Sequence, residues 1–92
     1  MNTTIDPKSI RANFPEVRFN KTPMEQLHRV LDELVEAEQA LLSGDRRHFL
    51  EETIDVLHTA ANVLYKAGFT DTEIADQIKY VQEKNYARGK YL

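Results

Sequence analysis

Four acidic residues carry the chemistry open to this chain: Glu33 and Glu36, three apart, and Glu52 and Asp55, again three apart. Residues i and i+3 lie on one side of a helix, so each doublet aims two carboxylates the same way. Two such helices packed antiparallel bring four carboxylates to one spot. Clustered carboxylates repel each other unless a cation sits among them, and an all-oxygen donor set suits magnesium or manganese. Spacing alone is not distinctive, because a chain with 15 acids in 92 residues holds about two such pairs by chance. A third pair, Glu73 and Asp76, falls in the first turn of a helix, where acids complement the dipole and need no metal. Position adds weight to the first two. Glu52, Asp55, Thr59 and Asn62 form one narrow polar stripe on a mostly apolar helix, and Glu33 borders Val30, Ala37 and Ala40. On pattern alone, both stripes can equally be the solvated faces of amphipathic helices.

The elements that must position these residues are legible from caps and periodicity. Thr22-Pro23-Met24-Glu25 reads as a capping box with proline at the first helical position, opening a helix over 23–42. Leu27, Leu31, Leu34 and Leu41 form its apolar face, with Val30, Ala37 and Ala40 beside it. Ser43-Gly44-Asp45 closes that helix and caps the next, predicted over 46–67 with Leu50, Ile54, Leu57, Ala61 and Leu64 as its main stripe. Thr70 and Glu73 form a second capping box, opening a shorter helix that runs to about Tyr86. Residues 1–22, with Pro7 and Pro15, read as an extended arm holding at most a short helical turn. Its Ile10, Phe14, Val17 and Phe19 are expected to dock on the body or on a partner subunit. The predicted fold is therefore all-α: an N-terminal arm (1–22), then a helical domain (23–92) of two long antiparallel helices and a shorter third.

Length and composition narrow the function further. A single small domain without cysteine buries a limited core, so completion by a homodimer or homotetramer is expected. A net charge of −3 argues against a nucleic-acid polymer or an anionic membrane as partner. No apolar run approaches the length needed to span a bilayer, and a cysteine-free chain without a signal-like start is expected to be cytoplasmic. The charge is unevenly spread: residues 24–58 hold nine acids against three Arg/Lys, and residues 79–92 hold four Arg/Lys against one Glu. Neither the two Glu-x-x-His motifs that a di-iron bundle requires nor a His-Glu-x-x-His zinc motif is present. His28 and His48 are expected at the surface and His58 partly buried. Phe14, Phe19, Tyr80 and Tyr86 could stack on a base, although core or interface roles are commoner.

Glu33-Leu34-Val35-Glu36, fifteen intervening residues and then Glu52-Thr53-Ile54-Asp55 resemble the ExxE…ExxD signature of the MazG-like all-α nucleoside triphosphate pyrophosphohydrolases. The ending Lys84-Asn85-Tyr86-Ala87-Arg88-Gly89 is similar to the Lys-Asn-x-x-Arg-Gly tail of many short members, and the resemblance covers residues 23–89. One departure is Val81, where members often carry a lysine. The resemblance implies magnesium-dependent hydrolysis of an NTP or dNTP between the α and β phosphates, giving a monophosphate and pyrophosphate. It implies Glu33, Glu36, Glu52 and Asp55 as metal ligands, with Lys84, Asn85 and Arg88 meeting the phosphates. Glu36 and Glu51 are both candidates for the general base, and the sequence does not separate them. The related phosphoribosyl-ATP pyrophosphohydrolases are a weaker fit, since their amino-terminal stretch is missing. A helical module that binds a nucleotide or protein without turnover is the rival from outside enzymology.

Overall fold

The structure is a computed structural model that describes residues 6–19 and 21–92. Of the predicted arm, residues 1–5 and residue 20 lie outside that described part. Among the described residues all regular structure is helical: α1 (Pro7–Asn13), α2 (Pro23–Ser43), α3 (Arg46–Lys66) and α4 (Asp71–Ala87).

The ends of these helices follow from local chemistry. Thr22 and Thr70 each accept a hydrogen bond from the backbone N–H three residues on, and Glu25 and Glu73 reach back to the cap backbone. These bonds hold both glutamates below the usual carboxylate range. Gly44 takes a left-handed φ of 80° at the end of α2, which glycine adopts without a steric penalty. Asp45 then caps α3 by accepting from the His48 N–H at 3.0 Å. The arm contains more helix than its sequence suggests. Pro7 occupies the first position of α1, Asn13 bonds back to the Ser9 carbonyl at 2.6 Å, and Pro15 stops the helix by disfavouring α geometry at Phe14.

The four helices associate as two pairs, α2 with α3 and α1 with α4. The α2/α3 hairpin closes on a different face from the one periodicity suggests. Its buried residues are Gln26, Glu33, Ala37 and Ala40 on α2 and Asn62 and Tyr65 on α3. The predicted leucine face of α2 (Leu27, Leu31, Leu34, Leu41) and most of the predicted stripe of α3 (Leu50, Ile54, Leu57, Leu64) are exposed in the single chain. The physical reason is closeness: alanines at 37 and 40 let two backbones approach as leucines there would not. The large side chains are left on the outer surfaces. Gln26 adds a polar pin across the hairpin, donating to the Thr59 carbonyl at 3.2 Å.

Candidate metal centre

Because α2 and α3 run antiparallel around Ala37 and Ala40, the two acidic doublets are brought level. Ligand oxygens of Glu33, Glu36 and Glu52 lie within 4.8 Å of one another, close to the roughly 4.2 Å separating opposite ligands of one magnesium ion. Asp55 stands outside this triad, exposed, but acts on it through its charge.

The triad is graded in burial: Glu33 is 8% exposed, Glu52 is half-buried and Glu36 faces solvent. Burial raises the pKa of Glu33, and the charge of Glu36, a hydrogen bond shared with it and the charge of Asp55 act in the same direction. Glu52 is raised by burial first and then by the charges of Glu36 and Asp55. Two basic side chains oppose these shifts. Arg29 places Nη2 3.1 Å from Glu33 Oε1, one helical turn away, and His48 Nε2 lies 3.8 Å from Glu52 Oε1. Even so, no protein N–H or hydroxyl donates to the buried Glu52 Oε2, and the side chain's shared hydrogen bond is with another carboxyl, Glu36. An unpaired buried carboxylate oxygen is costly and is satisfied by a proton or a cation. An all-oxygen donor set from three carboxylates therefore fits a hard divalent cation, and softer metals that favour sulfur or imidazole less well.

The remaining predicted site residues lie elsewhere. Glu51 is outside the triad, with a side chain 73% exposed and Oε2 3.9 Å from His48 Nδ1. Lys84 and Arg88 are exposed, and Asn85 donates to the Tyr91 hydroxyl at 3.2 Å. Among the described residues, no hydrogen bond or ion pair joins these three to the carboxylates, because α4 packs on α1 rather than along the hairpin. His28 and His48 are exposed and His58 half-buried, as their placement on the helices suggests. Ile10, Phe14 and Val17 are half-buried, whereas Phe19 is 72% exposed. Tyr80 and Tyr86 are also exposed.

Sequence reasoning overlooked Arg29, which an i,i+4 Arg/Glu search would have found. It also misplaced Asn62, grouped with the carboxylate stripe although the side chain is fully buried and turned to the arm. Fold and site together define an all-helical protein whose hairpin closes on an acidic cluster. Comparison with protein-family models, with curated proteins and with solved structures gave no match.

Proposed function

We propose that this chain is a magnesium-dependent nucleoside triphosphate pyrophosphohydrolase of the MazG-like kind, converting an NTP or dNTP and water into the monophosphate and pyrophosphate. The observation that carries the reading is the convergence of Glu33, Glu36 and Glu52 around an unpartnered buried oxygen, at the spacing that the resemblance rests on. Glu33, Glu36 and Glu52 would hold the cation, with Asp55 adding its charge from outside the triad; manganese suits the same donors. A divalent cation bound there neutralises phosphate charge and acidifies a water. Arg29, half exposed beside Glu33, has donors left over to meet a phosphate oxygen. The two base candidates differ in position: Glu36 belongs to the triad, whereas Glu51 keeps its carboxylate outside it, beside His48. Lys84, Asn85 and Arg88 would bind the phosphates once α4 and the acidic groove face each other.

That last requirement favours a second copy of the chain. A standard interface buries roughly 800 Å² on each partner. The outward leucines of α2 and α3 supply the apolar surface for it, and a homodimer or homotetramer allows α4 of one copy to approach the carboxylates of another.

Purified protein with magnesium should release pyrophosphate from at least one member of a panel of canonical and modified NTPs and dNTPs, and Glu52→Gln should abolish it. Silence across the panel, with cation binding confirmed by calorimetry, would overturn the reading. The separation of the basic end from the acids in one chain favours a second reading, in which the protein binds cation and nucleotide without turnover. Nucleotide binding without pyrophosphate release would select it.

A further inference from the structure

The two helix pairs are held together by a joint that the proposed chemistry does not use. Segment 14–17 runs between them, and four side chains from one stripe of α3 bind its main chain. The Tyr65 hydroxyl donates to the Phe14 carbonyl at 2.8 Å, and Lys66 Nζ donates to the Val17 carbonyl at 2.9 Å. Asn62 works in both directions, accepting from the Val17 N–H at 2.8 Å and donating to the Pro15 carbonyl at 3.0 Å. His58 Nε2 lies 2.8 Å from that same carbonyl, which calls for the Nε2–H tautomer. Asn62 is 0% exposed and its amide also donates to the His58 carbonyl at 3.1 Å, so the side chain is buried and satisfied only while the arm is docked.

The arm in turn holds α4. Arg11 of α1 donates from Nε to Asp71, the first residue of α4, at 2.7 Å, and its guanidinium lies 4.0 Å from the Tyr65 ring centroid. Glu16 pairs with both Arg11 and Lys66. On α4 itself Ile74 and Ala75, near this end, are the fully buried residues, Ile78, Gln82 and Asn85 further along are half-buried, and Tyr80, Val81 and Tyr86 are exposed. A helix of 17 residues is about 25 Å long. Anchored at Asp71, it is a lever: a tilt of about 10° there moves the Arg88 end by about 4 Å.

We propose that the α3 strip and the arm form a clasp that aims α4, with Asn62 as a positioning residue for the basic end carrying Lys84, Asn85 and Arg88. Its consequence for catalysis rests on the pyrophosphohydrolase reading; the mechanical claim does not. Because recognition is through the main chain, it depends on the path of the arm more than on its side chains.

Hydrogen–deuterium exchange on the full chain tests the clasp, comparing wild type with Asn62→Ala and with Tyr65→Phe, which deletes one arm bond and keeps the ring under Arg11. Amides of residues 76–87 should exchange at least tenfold faster in Asn62→Ala and measurably faster in Tyr65→Phe, while those of 30–42 keep their rates. If pyrophosphate is released, KM for the nucleotide should rise with kcat and magnesium affinity held. Unchanged rates in α4, or equal acceleration of α2 and α4, would overturn the proposal. Should Asn62→Ala fail to fold, Tyr65→Phe decides by the same criteria. A wild-type chain inactive on nucleotides would refute the function proposed above and leave the exchange comparison intact.

Discussion

Replacing Glu33 with glutamine should make the cation-free protein more stable and at the same time insensitive to magnesium. Glu33 is the most buried of three carboxylates whose oxygens lie within 4.8 Å. Two ionised carboxylates at that distance repel by about 3.5 kcal/mol at an effective dielectric of about 20. Raised proton affinity at Glu33 and Glu52 relieves much of this, and glutamine forfeits the half-exposed Arg29 pair, worth about 0.5 kcal/mol. A net gain of about 1–2 kcal/mol remains, or on the order of 5–10 °C in melting temperature for a domain of this size. For a carboxyl whose pKa is raised in the folded state, the stability from protonation is full below the unfolded pKa and is lost as pH rises through the folded one. The advantage of Glu33→Gln over wild type should therefore grow from acid toward neutral pH. The difference between the two proteins is the quantity to read, because Glu25 and Glu73, lowered by their caps, tilt the absolute profile the other way. Circular-dichroism melts with chelator and with excess magnesium are the assay. Magnesium at a hundred times its Kd should stabilise wild type by about 2.7 kcal/mol and the variant hardly at all. A lower melting temperature for chelated Glu33→Gln, with magnesium still stabilising it, would refute the argument that charge repulsion is what the cation relieves.

Two other outcomes follow from the same geometry. Wild type should sediment as the proposed oligomer, and Leu31→Glu or Leu57→Glu, each on an exposed helix face, should shift it to the monomer without loss of helicity; a monomeric wild type would refute assembly, and an unaltered oligomer would refute these faces as its interface. Thr70→Ala removes the cap of α4 and half of its capping box, and should cost about 1 kcal/mol in urea denaturation.

What the sequence made legible was local. Thr22 with Glu25, Gly44, Asp45 and Thr70 with Glu73 each act within a few residues, and they set the ends of three helices. The register of Glu33 and Glu36 with Glu52 followed from the same logic, since the lengths of α2 and α3 and a short turn between them bring these three level, whereas Asp55, expected among them, stands outside. The facing of the helices did not follow. A periodic row of leucines says that a surface is apolar, but it reads the same whether it meets its own neighbour or a second molecule. Asn62 was illegible for another reason: it reads the backbone of 14–17, and main-chain recognition leaves no partner residue to find. The aim of α4 depends on that joint and on Arg11, contacts between residues 45 to 60 positions apart, which no local pattern encodes.

The two buried alanines at the centre of the hairpin carry a consequence for ion choice. Ala37 and Ala40 are 7% and 2% exposed, and side-chain size at a helix contact sets the distance between axes. Enlarging either would part α2 from α3 and stretch the span from Glu33 and Glu36 to Glu52. For the cation site proposed above, the gauge of ion radius would thus be written in methyl groups away from the carboxylates, and a series of small-to-large substitutions at position 37 would retune the hairpin as calipers are reset, with its acids unchanged.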